Sequence, residues 1–186
     1  MIFMNPKKAI FLDRDGTLNK DIGFNFKSKK YRLLYGVVDG LKKLKNNFSF
    51  FIITNQPGIG LGLYTYEGFY NFHTLLIDEL KRHGITIEET YYCPHIPEEN
   101  CDCRKPKTKF IELCVKKYGP LDLKNSWMIG DHPSDIEFGK NAGCKTIYLT
   151  TGHGSKHLKD LKKKNIKPDF IAKNFLIAAE YIKNRK

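Results

Sequence analysis

Five short apolar or aromatic runs, each followed by a stretch with helical spacing, constrain this chain more tightly than any other feature of it. Ala9–Leu12, Ser49–Ile53, Glu89–Tyr92, Ser126–Ile129 and Thr146–Leu149 read as buried strands. Between them the spacing predicts helices over 36–46, 66–83, 107–118, 133–142 and 155–164; Phe69, Leu76 and Leu80, for example, share one face. Asp169–Ile171 predicts a short sixth strand before a helix at 174–184. Strand and helix in alternation predict an α/β fold with a doubly wound, mostly parallel sheet. No repeat or linker divides the chain, so residues 1–186 are expected to form a single domain.

Composition narrows the class. With 186 residues, 13 Phe and 10 Tyr, the chain can bury a full core, and wholesale disorder is excluded. No apolar run approaches the roughly 18–20 residues of a membrane span. The N-terminal Met1–Lys8 lacks the apolar middle and cleavage site of a secretion signal, so a cytoplasmic location is expected. The net charge of +12 suits an anionic substrate. From Ser155 to Lys186, however, ten Lys/Arg face three Asp/Glu, a local excess of +7 on what reads as solvated helix surface. Charge alone therefore does not argue for a nucleic-acid partner. No heptad or exposed stripe points to self-association, and a monomer is expected.

An open α/β sheet binds ligands beyond the carboxyl ends of its strands. At those ends stand Asp13-Arg-Asp-Gly-Thr17, Thr54-Asn-Gln56, Cys93-Pro-His95 and Gly130-Asp-His-Pro-Ser-Asp135. Asp13 and Asp15, two apart in an extended segment, point the same way. Like charges so close need a cation or a shared proton. Asp131 and Asp135 add negative charge at the same sheet edge, and an oxygen-only set with room for water suits Mg²⁺. Such a site accepts a phosphate: Asp13 attacks phosphorus, and Asp15 hands a proton to the leaving alcohol and later takes one from water. Thr54 and Lys105 are suited to holding the phosphoryl oxygens.

Five cysteines argue against a disulfide framework in such a chain. Cys93, His95, Cys101 and Cys103 form a Cys₃His set within eleven residues, the pattern of a closed structural Zn²⁺ site over the loop 93–103. Arg104 and Lys105 follow the last ligand directly, so a metal that orders this loop also aims both cations at the phosphate. Cys114, Cys144 and Trp127 read as core. His73 reads as a packed histidine, and His83 as a cation at a helix C-terminus. Thr150-Thr-Gly-His-Gly154 is a glycine-rich turn too common to carry a role by itself.

In order over some 120 residues, Asp13-Arg-Asp-Gly-Thr-Leu-Asn19, Thr54-Asn-Gln56, Lys105 and Gly130-Asp…Asp135 resemble the four motifs of the haloacid dehalogenase-like (HAD) phosphohydrolases. The resemblance implies Asp13 as nucleophile and Asp15 as acid and base. It also implies Mg²⁺ on the Asp13 carboxylate, the Asp15 carbonyl and Asp131, with Asp135 in support. The zinc pattern running into Arg-Lys-Pro narrows the likeness to the heptose 1,7-bisphosphate 7-phosphatases and histidinol-phosphate phosphatases, which have minimal caps. Substrate contacts are then expected from Arg14, Asp21, Gly23, Phe24, Asn55, Gln56, Pro57, Arg104 and His132. Three positions depart from the family pattern: Leu61 stands where arginine is usual, Phe24 where tyrosine is, and His132 where lysine is frequent. The expected reaction is Mg²⁺-dependent hydrolysis of a small sugar phosphate, most of all the 7-phosphate of heptose 1,7-bisphosphate. Its alternatives are a histidinol-phosphate phosphatase, a polynucleotide 3′-phosphatase and a non-catalytic zinc-binding module.

Overall fold

The structure, a computed structural model, describes residues 6–24 and 31–185. Its elements run β1 (Ala9–Leu12), α1 (Val37–Leu44), β2 (Ser49–Asn55), α2 (Pro57–Gly60), α3 (Tyr66–Arg82), β3 (Glu89–Cys93), α4 (Lys109–Tyr118), β4 (Trp127–Gly130), α5 (Pro133–Asn141), β5 (Lys145–Leu149), α6 (Gly154–Lys163), β6 (Phe170–Ala172) and α7 (Phe175–Lys183). The six strands form one sheet in the order β3-β2-β1-β4-β5-β6, and every pairing is parallel. The expected doubly wound α/β fold is present, with each expected strand and helix within two residues of its sequence bounds. The single turn α2 was not expected. Pro57 starts it, and its two glycines hide it from any propensity argument.

Both faces of the sheet are covered, which is why its strands are continuous apolar runs. Ile10 and Leu12 of β1 point into a core shared with Val37 and Leu41 of α1, Leu76 and Leu80 of α3, and Phe175 and Ala179 of α7. Ala9 and Phe11 point the other way, toward Phe110 and Cys114 of α4 and Phe138 of α5. Trp127, Cys114 and Cys144 are buried, as expected. Thr65 Oγ1 caps α3 by accepting from the Gly68 N–H, and Asn174 Oδ1 caps α7 from the Ile177 N–H.

Strand order reverses between β1 and β4. The chain leaves β1 toward β2 and leaves β4 toward β5, so a crevice opens above these two central strands. Asp13 follows β1 and still donates its N–H to the Ile129 carbonyl at 2.9 Å, while Asp131 follows β4. The topology thus brings two carboxylates 118 positions apart in sequence to one point.

Gly40 shows how tightly the helical layer packs. A Cβ there would lie 2.6 Å from Phe175 Cδ1 and 3.1 Å from Ala179 Cβ. Ala for Gly in a helix ordinarily stabilises by about 0.5–1 kcal/mol, whereas overpacking costs about 1–3 kcal/mol. Gly40→Ala should therefore lower the thermal midpoint; a rise in thermal denaturation would show that Phe175 has room to turn aside.

Candidate active site

Four buried charges form the floor of the crevice. Lys105 Nζ lies 2.7 Å from Asp13 Oδ1, 2.6 Å from Asp135 Oδ1 and 2.7 Å from the Ile53 carbonyl oxygen. Asn55 fixes the lysine backbone by accepting from the Lys105 N–H at 3.0 Å. One carboxylate oxygen from each of Asp13, Asp131 and Asp135 comes within 4.8 Å of the others. Burial, opposed by Lys105 and reinforced by Asp135, pushes the Asp13 carboxyl up to about 7. Burial and then the charges of Asp13 and Asp135 push Asp131 up to about 8. Burial disfavours the Lys105 ammonium, but its two carboxylate partners outweigh that and raise its pKa.

Three carboxylates against one ammonium leave negative charge that a divalent cation would neutralise, and the all-oxygen donor set fits Mg²⁺. The surroundings are cut to hold Asp131. A Cβ on Gly16 would fall 2.2 Å from Asp131 Oδ2, and one on Gly152 would fall 2.3 Å from it; both glycines have positive φ. The His153 N–H donates to Asp131 Oδ2 at 2.8 Å, and the Thr17 hydroxyl donates to Oδ1 at 3.3 Å. Asp135 Oδ2 accepts from the His132 N–H at 2.9 Å, which caps α5. The turn at 150–154 thus holds a site carboxylate, a role its sequence alone did not reveal.

Asp15 sits among donors. Its Oδ2 accepts from Arg14 Nε (3.0 Å), Arg14 NH2 (2.6 Å) and Gln56 Nε2 (2.9 Å), and its Oδ1 from Asn19 Nδ2 (2.9 Å). Burial would raise its pKa, but Arg14 and these hydrogen bonds overcome that and lower it. Gln56 also donates to Thr54 Oγ1 at 2.8 Å and accepts from the Tyr64 hydroxyl at 2.7 Å. Arg14 was expected at the substrate. It is instead fully buried beneath the site, its guanidinium 5.0 Å from the Phe69 ring and 5.7 Å from that of Phe72, and it holds Asp15. A charge flanked by two aspartates resembles a ligand contact in sequence; only the placement of α3 beneath it shows otherwise.

Cys93, His95, Cys101 and Cys103 converge. Cys93 Sγ is 3.5 Å from Cys101 Sγ and 3.7 Å from His95 Nδ1, while Cys103 Sγ is 3.4 Å from His95 Nδ1 and 3.6 Å from Cys101 Sγ. Sulfurs about 2.3 Å from a tetrahedral ion stand about 3.8 Å apart, so the set fits Zn²⁺. Arg104 NH1 donates to the His95 carbonyl at 3.3 Å, tying that cation to the zinc loop. The Gly60 N–H donates to the Pro94 carbonyl at 3.0 Å, docking α2 against the same loop.

Between floor and zinc loop opens a cavity of about 360 Å³. Asp13, Asp15, Thr54, Lys105, Asp131 and Asp135 line its depth; Asp21, Gly23, Phe24, Asn55, Gln56, Pro57, Arg104 and His132 line its walls. Of the residues expected to act on, bind or hold a metal for the substrate, all but Arg14 line the cavity; the four Cys₃His residues form their own cluster beside it. Tyr64, Ser134 and His153 join the cavity residues; Ser134 lies inside the Gly130–Asp135 motif and His153 inside the 150–154 turn, but only the fold brings their side chains to the cavity.

Comparison with known proteins decides the family. A HAD-hydrolase-like family profile matches residues 102–178. The D-glycero-beta-D-manno-heptose-1,7-bisphosphate 7-phosphatase of Helicobacter pylori (strain 26695) is 40% identical over 148 residues, which are 78% of this chain and 85% of that protein. This chain is a HAD-family phosphatase. The phosphatase is also 38% identical to the histidine biosynthesis bifunctional protein HisB of Legionella pneumophila (strain Lens), over 79% of the chain; it spans 42% of that longer protein. The crystal structure of D,D-heptose 1,7-bisphosphate phosphatase from B. bronchiseptica, complexed with magnesium and phosphate, superposes with a TM-score of 0.84 at 27% identity. That match covers 96% of this chain and 99% of the other.

Two of the family departures separate in the phosphatase. Phe24 lines the cavity beside Tyr64, ring centroids 6.4 Å apart. Leu61 is half-exposed and is not among the lining residues.

The raised carboxyls set a pH dependence. In the folded, metal-free phosphatase Asp13 and Asp131 keep protons up to about pH 7 and 8, while the ordinary value is 3.8. The stability they contribute is therefore full below about pH 4 and lost as pH rises through their folded values. Saturating Mg²⁺ replaces those protons, so it should raise the thermal midpoint clearly at pH 8 and little at pH 5. Equal shifts at both pH values would mean the carboxyls are ionised without metal. The loop makes a second prediction: elemental analysis should find one Zn²⁺ bound by the Cys₃His set, and Cys101→Ser should lose it together with activity. A zinc-free variant of full activity would sever Arg104 from the metal.

Proposed function

We propose that this phosphatase removes the 7-phosphate of a D-glycero-D-manno-heptose 1,7-bisphosphate through an aspartyl-phosphate on Asp13. The observation that carries the reading is the pair of cations at different depths of one cavity: Lys105 on the floor beside Asp13, and Arg104 on the wall. A substrate with two phosphates uses both. The 40% identical Helicobacter relative supports the same substrate class.

In this reading an Asp13 oxygen attacks phosphorus in line and the ester P–O bond breaks, its electron pair leaving on the sugar oxygen. Lys105, 2.7 Å from Asp13 Oδ1, orients the nucleophile and faces the phosphoryl oxygens. The Asp13 and Asp131 carboxylates and the Asp15 backbone carbonyl would hold Mg²⁺, which would neutralise the phosphoryl charge. Asp135 supports the floor by sharing Lys105. Asp15, kept ionised by Arg14 and Gln56, is ready to take the proton of the water that opens the aspartyl-phosphate. To protonate the leaving oxygen it must first turn out of that cradle and take up a proton from solvent.

One observation favours a second substrate. Asp21 presents a carboxylate at the rim, where the ammonium of histidinol phosphate would fit, and HisB is also a relative. Phosphate release in Mg²⁺ from both heptose bisphosphate anomers, histidinol phosphate and a 3′-phosphorylated oligonucleotide separates these readings. Heptose bisphosphate should exceed the others in kcat/KM. Asp13→Asn should lower turnover by about a thousandfold or more. Arg104→Ala should raise KM for the bisphosphate about tenfold or more, the size of a charge-assisted contact, and leave KM for a monophosphate nearly unchanged. Equal effects on both would refute its role at the second phosphate.

A further inference from the structure

The buried side chain of Gln56 has every hydrogen-bonding position filled. An amide oxygen can accept twice and its NH₂ group can donate twice. Here Oε1 accepts from Arg14 NH2 at 3.1 Å and from the Tyr64 hydroxyl at 2.7 Å, while Nε2 donates to Asp15 Oδ2 at 2.9 Å and to Thr54 Oγ1 at 2.8 Å. Turning the amide over would set its oxygen against the Asp15 carboxylate and its NH₂ group against the Arg14 guanidinium. One orientation of the amide therefore satisfies all four partners.

That orientation sets the chemistry on either side of it. Thr54 Oγ1 is engaged as an acceptor, and among the described residues its own proton goes to no acceptor, so the hydroxyl is left as a donor in the cavity it lines. Asp15 Oδ2 gains a further N–H beside the two from Arg14, which keeps that carboxylate an acceptor. A donor for a phosphoryl oxygen and an acceptor for a proton are the two states the reaction needs there.

Tyr64 is the member of this network that comes from outside the motifs. It stands between α2 and α3, on a loop folded back over α2: the Gly62 N–H donates to the Ile59 carbonyl at 2.9 Å and the Leu63 N–H to the Gly58 carbonyl at 2.8 Å. Its ring then crosses Gly58 so closely that a Cβ there would collide with Tyr64 Cε1 and lie 2.9 Å from Tyr64 Cδ1. The glycine leaves room for the ring to bring its hydroxyl to Gln56, and that bond is the shortest the amide makes.

We propose that Tyr64 is a positioning residue for phosphate-ester hydrolysis: through Gln56 it holds Thr54 as a donor and Asp15 as an acceptor. The inference rests on the roles given above to Thr54 and Asp15, and not on which phosphomonoester is the substrate. Tyr64 also lines the cavity, so the rival role is a direct contact with the substrate. The two differ in whether the hydroxyl still matters once the amide is gone.

The test is a double-mutant cycle read in kcat and KM, using the phosphomonoester that the full chain hydrolyses fastest in Mg²⁺. Tyr64→Phe keeps the ring and removes only the hydroxyl. It should lower kcat about three- to tenfold, the size of one hydrogen bond, with KM within about twofold of wild type. Gly58→Ala, which displaces the ring, should show the same loss or more. Gln56→Met keeps the length of the side chain without its amide; in that background Tyr64→Phe should change kcat by less than about twofold. Wild-type kcat in Tyr64→Phe overturns the proposal, and so does a loss that persists undiminished in Gln56→Met. A rise in KM at unchanged kcat overturns it in favour of a substrate contact. Asp15→Asn and Thr54→Val belong in the same assay. Full turnover in either would overturn the site roles and this inference together, whereas wild-type kcat in Tyr64→Phe beside two impaired variants overturns this inference alone.

Discussion

The ammonium of Lys105, shared between Asp13 and Asp135, is the contact on which the site depends. Taking any one of these charges out of water costs several kcal/mol, and removing a partner from a buried pair costs more than the pair contributes. The arrangement holds because the lysine is saturated: two carboxylates and the Ile53 carbonyl surround it. It also spans 92 positions of sequence, so it fastens the end of the zinc loop to the end of β1. What it leaves unbalanced is as important. Among the described residues Asp131 joins the same cluster with no lysine of its own within ion-pair distance, and that excess negative charge suits the floor to a cation rather than to a neutral salt bridge.

Depth in the cavity follows the origin of each residue. The floor comes from strand ends, where backbone ladders fix position to a fraction of an ångström: Asp13 is still hydrogen-bonded to Ile129. Glycines at 16 and 152 let backbone close in on Asp131 where any side chain would collide. The walls come from loops, which have no ladder. The segment from Pro94 to Thr108 contains only one 3₁₀ turn, Pro97–Glu99, so its course is set by four converging ligands and by the contact of Gly60 with Pro94. A Zn²⁺ on these four residues would do for Arg104 what the sheet does for Asp13.

Legibility in the sequence divides along the same line. Strands buried on both faces announce themselves as continuous apolar runs, and whatever follows them stands at the sheet's carboxyl edge; Asp13, Thr54 and Asp131 could be read that way. The zinc ligands were legible because all four lie within eleven residues. What escaped was set by distant partners. Arg14 has the sequence context of a ligand contact, yet Phe69 and Phe72 of α3 enclose it and turn it toward Asp15. Tyr64 acquires a role only because Gln56 folds back to meet its hydroxyl. The turn 150–154 reads as an ordinary glycine turn until β5 is set beside β4, which brings the His153 N–H to Asp131.

This division also says where substitution is tolerated: at the rim more readily than on the floor. Removing Lys105 strands the buried carboxylates of Asp13 and Asp135, and removing either carboxylate takes a buried partner from the lysine. Phe24 and His153 are half-exposed, His132 is exposed, and each can be replaced without leaving a partner buried and unpaired. Leu61 illustrates the freedom: it stands where a cation is usual, it is half-exposed, and it lies off the cavity wall. With no charge at that position, Arg104 is the cation of the cavity wall, tied to the Cys₃His loop through the His95 carbonyl. On the proposed reading, substrate choice is therefore coupled to metal loading through geometry, because Arg104, which would read the far end of a bisphosphate, is anchored on the carbonyl of His95 in the Cys₃His set.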